Sequence, residues 1–238
     1  MRRALLLVLA LLPIAAQAAG FSVAPMRGEL GAKVKSASFT VANSNATALS
    51  FRVVVRKWTQ DAQGNDVYVD SGDLVAYPMQ FEVPANGKRI VRVGFEGAAP
   101  AKESAYRVYI EELPPAAAPS AGRVGAIAVV GRFGIPVFVK PEGARPQLAI
   151  EHVSAQRGAY TVKVSNAGTS RAKLSGITAG SGADAEFGNP YLLPGTTREI
   201  TGPIGTPCKA GSKVRIVASA EGTRAEKELV LPPDACGA

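Results

Sequence analysis

Hydrophobic and polar residues in this chain tend to alternate, and helical spacing is almost absent. Short runs rich in Val, Ile, Phe and Tyr recur: FSVAPMRGEL, SASFTVANS, LSFRVVVRKWTQ, QFEVPANG, RIVRVGFEG and YRVYIEELP. Gly, Pro, Asn and Asp clusters separate them, the pattern of strands punctuated by turns. Asn43, Asn45, Gly64, Asn65, Asn86 and Gly87 are turn residues because Asn and Gly tolerate positive φ. A second series follows the connector PEGARPQ: QLAIEHVSAQ, AYTVKVSNAG, AKLSGITAG, TTREITGP, SKVRIVASAEG and EKELVLPP. Two sandwiches of about 120 and 90 residues suit ordinary domain sizes better than one of about 220. The predicted fold is therefore all-β, with Ig-like sandwiches over 19–141 and 146–238. The phrases VANSNATALSFRV and KVSNAGTSRAKLSG repeat one strand–Asn–turn–strand arrangement in the two series.

The longest alternation is VGAIAVVGRFGIPVFVKP, residues 124–141, which predicts one long strand. Ile127, Val129, Phe133, Ile135 and Val137 fall on one of its faces. An ordinary strand runs about five or six residues. This one follows the EELPPAAAPSAG linker and ends at the domain boundary, Lys140–Pro141. A long apolar edge is an aggregation hazard unless it exists to be paired.

Residues 1–18 read as a secretory signal. Arg2 and Arg3 form the basic start, Ala4 to Ala15 the short apolar stretch, and Ala16-Gln17-Ala18 the cleavage site. The chain is expected to be exported, without membrane insertion. The formal charge is +8, of which Arg2 and Arg3 supply two. The remaining Lys and Arg are scattered and there is one Trp, which argues against nucleic-acid binding. Cys208 and Cys236, in an exported chain, predict a disulfide. With His152 as the single histidine, no metal site is expected. The absence of GxSxG and GxxxxGK[ST] motifs argues against a hydrolase of that type and against nucleotide use. No enzymatic activity and no cofactor are expected. Trp58 reads as a core aromatic, and His152 as a surface or partly buried strand residue.

PMRGEL near the start, VAN followed by FRVVV, YPMQFEVPANGKRIVRV, ESAYRVYIEELP and FVKP follow one another in a recognisable order. In it the chain resembles the periplasmic chaperones of the chaperone–usher pilus pathway, the PapD-like family. The YRVYIEELP form is nearest the archaic, spore-coat-like branch. The resemblance implies two Ig-like domains set in an L, or boomerang. It also implies that the long strand is lent to a pilus subunit, whose groove the alternate side chains fill. The donor residues become Ile127 and Val129, with Gly131 at a third position. Gly131 has no side chain to offer, so either the partner's pocket is shallow there or the register shifts and Phe133 takes part.

The resemblance further implies two basic groups that anchor the subunit's terminal carboxylate. The first falls on Arg27, whose planar fork suits a carboxylate. The second falls on Pro136, a departure that leaves Arg132 and Lys140, which share a face with that position, and Arg92 as candidates; Arg132 is preferred because Lys140 maps onto another family role. An interdomain ion-pair network falls on Glu103, Lys140 and Glu221, each of which also reads as an ordinary surface charge. The implied function is capping of pilus subunits and delivery to an outer-membrane usher, with self-association of the free protein through its exposed strand. The competing reading is a secreted two-domain adhesin or carbohydrate-binding module. That reading explains the leader, the sandwiches and the cysteines, but not the long strand behind its linker.

Overall fold

A computed structural model of the chain describes residues 20–114 and 129–236, all strands and connections with no helix among them. The leader and Ile127 lie outside the described residues. The first half contains β1 (Phe21–Ala24), β2 (Gly28–Gly31), β3 (Ser36–Asn43), β4 (Leu49–Gln60) and β5 (Asp66–Asp70). It continues with β6 (Leu74–Tyr77), β7 (Gln80–Val83), β8 (Lys88–Phe95), β9 (Ser104–Glu112) and β10 (Arg132–Lys140). One sheet runs β1-β3-β8-β6, and the other β2-β10-β9-β4-β5 with β7 also on β4. Phe39, Val41, Phe51, Val91, Val108 and Ile135 are fully buried between them. Each such side chain stabilises the sandwich by about 1.5–3 kcal/mol through burial.

The second half contains β11 (Leu148–Gln156), β12 (Ala159–Asn166), β13 (Ala172–Ala179) and β14 (Tyr191–Leu192). It ends with β15 (Thr197–Pro203), β16 (Lys213–Ala220) and β17 (Thr223–Val230). Sheets β11-β12-β15 and β14-β13-β16-β17 enclose a separate core that includes Tyr160, Val162, Ile177 and Ile216. Cys208 and Cys236 are bridged beside it, their Cα atoms 5.5 Å apart.

The repeated Asn phrase has a structural cause. Buried Asn43 donates from Nδ2 to the carbonyls of Thr47 and Val83, and its Oδ1 accepts from the Asn45 amide. Buried Asn166 donates to the carbonyls of Ser170 and Leu192, and its Oδ1 accepts from the Gly168 amide. In each sandwich one amide ties a turn to a neighbouring strand and satisfies backbone groups that would otherwise be buried unpaired.

Three sequence expectations need correction. FSVAPMRGEL is two strands in opposite sheets: β1 pairs with β3, and β2 runs parallel to β10. The break includes Pro25, which has no N–H to continue a ladder. The long strand of 124–141 is narrower in the structure, with β10 beginning at Arg132 and residues 129–131 lying outside any strand. Trp58 is buried but not between the sheets of its sandwich. It packs with Ala105, Phe138 and Leu193 in a third cluster that joins the two halves. On β4, position 58 shares parity with Arg52 and Arg56 and faces away from the core that Phe51 and Val53 enter.

Candidate functional site

Strand β10 is paired differently along its two sides. It bonds antiparallel to β9 over Arg132–Val139, but to β2 only over Val137–Lys140. Among the described residues, Arg132–Pro136 therefore has no strand on its second edge, where the Gly134 carbonyl accepts from the Arg107 side chain. Ahead of it, Val129 is 88% exposed.

Gly131 has a packing reason for its missing side chain. A Cβ there would lie 2.5 Å from the Phe21 ring. Its amide donates to Glu112 Oε2, and its carbonyl accepts from the Glu112 amide. Phe133 is half-buried against its own domain's core, edge-on to Phe21 at 5.1 Å.

A cleft of about 340 Å³ lies between the two halves, lined in part by Arg27, Glu29, Glu103, Lys140, Arg171 and Glu221. Arg27 reaches it because Gly28 pairs with Val137, so Arg27, one residue earlier, comes level with Pro136. Its Nε lies 3.2 Å from Glu29 Oε1. On the opposite side of Pro136, β9 places Arg107 directly in register. Two arginines thus flank the proline. Arg107 donates to the Gly134 carbonyl at 3.3 Å and has no carboxylate within ion-pair distance among the described residues.

The cleft brings Glu103, Lys140 and Glu221 together, but the ion pairs are not those expected. Glu103 Oε2 accepts from Arg171 Nη1 at 2.8 Å, and its Oε1 accepts from the Arg171 amide. Arg171 also pairs with Glu29, and its guanidinium lies 3.6 Å from the centre of the Phe138 ring. Burial raises the Glu103 carboxyl above its ordinary range, against the opposing pull of Arg171. Glu221 pairs with Lys173 at 3.1 Å, a hydrogen bond that holds its carboxyl below the usual range. Lys140 has no carboxylate partner among the described residues. The reason is positional: Arg171 enters from the second domain and occupies the buried side of Glu103, leaving Lys140 exposed.

Arg132 and Arg92 are not in this cleft. Arg132 lies four residues, roughly 13 Å, along β10 from Pro136. It pairs with Glu111 at 2.8 Å and stacks on Tyr109 at 3.8 Å. Arg92 is exposed on β8 in the other sheet, in register with Tyr77 and near exposed Ile90. The residues missed from sequence are Arg107 and Arg171. Strand parity alone puts Arg107 on the outer face of β9, but only the β9–β10 register sets it beside Pro136. Nothing in the local pattern of SNAGTSRAKLSG marks Arg171.

The sequence pattern of the N-terminal domain of pili and flagellar-assembly chaperones, the PapD N-terminal domain, matches residues 20–145. No curated protein sequence gives a significant match. The fold is similar to a chain of the Acinetobacter baumannii CsuC–CsuE chaperone–tip adhesion subunit pre-assembly complex, from archaic chaperone–usher Csu pili. The identity is 22% and the TM-score 0.63, over 88% of this chain and 98% of that one. It is also similar to a chain of the Salmonella enterica SafA pilin–SafB chaperone complex, with 16% identity, a TM-score of 0.60, and 91% and 99% of the two chains covered. The Pseudomonas aeruginosa CupB2 chaperone matches with 17% identity and a TM-score of 0.55, over 88% and 100% of the chains. At such identities the shared property is the two-sandwich fold.

Proposed function

Because the chain belongs to the family of pili and flagellar-assembly chaperones, we propose that it caps pilus subunits by strand donation in the periplasm and hands them to an outer-membrane usher. The observation that carries this reading is the open edge of β10 over Arg132–Pro136, preceded by the exposed Val129. A subunit strand added there gains main-chain hydrogen bonds and apolar contacts together. The work is non-enzymatic: binding energy alone maintains the capped state, and a neighbouring subunit displaces the chaperone.

The donated side chains are those preceding Gly131, since Phe21 fills the space beside Gly131 and Phe133 faces the chaperone's own core. Arg27 and Arg107 together hold the subunit's terminal carboxylate, in place of the single basic side chain that Pro136 lacks. Two guanidinium forks converging on one carboxylate give charge-assisted, directional bonds. The folding units are 19–141 and 146–238, with Glu103–Arg171 pinning one to the other. The usher requires a surface that remains free while β10 is occupied. The outer face of the β1-β3-β8-β6 sheet, with exposed Val75, Tyr77 and Ile90, meets that requirement.

The test is co-purification of the tagged, exported protein with a small exported subunit encoded in the same gene cluster. The expected result is a one-to-one complex that is lost when Ile127 and Val129 are both made polar. A well-folded protein that recovers no subunit contradicts strand donation and favours the adhesin reading, to be followed by a glycan screen.

A further inference from the structure

Arg107 is positioned by the junction between the two domains. Its guanidinium carbon lies 4.3 Å from the centre of the Trp58 ring. Trp58 is 1% exposed, and its Nε1 has no hydrogen-bond partner among the described residues. Packing, not hydrogen bonding, therefore fixes the indole. Phe138 packs against it at 5.9 Å, and Tyr191 of the second domain meets it edge-on at 5.7 Å. Tyr191 is in turn held by Gln60, two residues beyond Trp58 on the same face of β4. Gln60 Nε2 donates to the Tyr191 carbonyl at 2.9 Å, while its Oε1 accepts from the Leu193 amide and the Thr196 hydroxyl, each at 2.9 Å. The side chain thus bonds the β14 backbone as a neighbouring strand would. A continuous chain of contact runs Gln60–Tyr191–Trp58–Arg107.

We propose that Gln60 and Tyr191 are positioning residues for subunit capture: they fix Trp58, and through it Arg107, so that the second domain controls the orientation of a cation belonging to the first. This rests on the reading of Arg107 as a carboxylate anchor. A long arginine side chain has many rotamers, and stacking on an immobile indole restricts them, holding its fork against the Gly134 carbonyl of β10. The arrangement also explains why an indole with an unpartnered N–H is buried at the junction and not in the sandwich core.

Trp58 is the single tryptophan of the chain, so tryptophan emission reports on this link alone. In the full mature protein, Gln60→Ala and Tyr191→Ala are expected to red-shift that emission and increase its quenching by acrylamide. Capture of the co-expressed subunit is expected to weaken roughly tenfold, the scale of a lost desolvated cation–π contact. Tyr191→Phe, which keeps the ring, is expected to restore both readouts. Emission and quenching unchanged in both alanine variants overturn the proposal, as does full capture by a Tyr191→Ala protein whose Trp58 has loosened. If the wild type itself captures no subunit, the anchor reading fails and takes the proposal with it. Capture by the wild type with undiminished capture by both alanine variants overturns the proposal alone.

Discussion

The two halves of β10 have nearly the same apolar alternation and opposite fates. From Val137 to Lys140 the strand has β9 on one side and β2 on the other, with the Val137, Phe138 and Val139 side chains buried. From Arg132 to Pro136 it has β9 alone. The difference arises at Pro25–Arg27, where the first strand changes sheets: β1 joins the opposite sheet and β2 arrives only in time to cover the second half. An alternating pattern thus specifies which face is apolar and does not specify whether the edge is covered. Both halves send side chains into the core, and only the first leaves its outer edge for a partner.

Substitutions in the two halves should separate folding from capture. Val137→Asp, in the covered half, places a charge in the first core and is expected to cost about 4 kcal/mol or more, abolishing the folded protein and, with it, capture. Thermal unfolding checks this; a variant that melts like the wild type would mean Val137 does not face the core. Val129→Asp, ahead of the open half, is expected to leave the melting temperature nearly unchanged. The same variant should weaken subunit recovery by about 3 kcal/mol, because a carboxylate cannot enter an apolar pocket without a partner. Undiminished co-purification would place the donated residues elsewhere.

Arg107→Ala, at the boundary between the halves, is expected to weaken capture by about 2 kcal/mol with little effect on folding. Titration of subunit against chaperone measures it, and an effect as large from Arg132→Ala would shift the anchor four residues along β10.

The smallest effect concerns the covered half, where Glu103 lines the cleft with Lys140. Burial raises the folded-state pKa of Glu103, so its titration favours the folded state at acid pH. That contribution is lost as pH rises from the ordinary carboxylate range through the raised value. Wild type should therefore lose stability relative to Glu103→Gln across that interval. Parallel pH–stability curves for the two proteins would show that Glu103 is not desolvated.

The all-β class, the two-sandwich division and most strands are legible in the sequence, because period-two alternation and turn residues are local signals. The buried Asn43 and Asn166 were visible as a repeated phrase, though not as cross-links. The short β5 and β6, from DVYVD and LVAY, were not among the expected strands. At the site, the family resemblance points to Arg27 and Val129, and to neither Arg107 nor Arg171. Arg107 takes its meaning from the register between β9 and β10, and the long connection between those strands leaves that register unset in the sequence. Arg171 takes its meaning from how one domain meets the other, which no local pattern encodes. Trp58 was read as a core residue because an Ig-like strand offers the sandwich interior as the obvious place for an aromatic; its parity with Arg52 and Arg56 was the signal that pointed outward.

Backbone amide hydrogen exchange along β10, in the free protein and in the co-purified subunit complex, tests the central claim most directly. The expected result is exchange slowed by orders of magnitude at Arg132 and Gly134, whose amides face the open edge, once the subunit is bound, with Phe133, Ile135 and Val137–Lys140 protected equally in both states. Unchanged exchange at Arg132 and Gly134 within an intact complex would contradict strand donation along this edge.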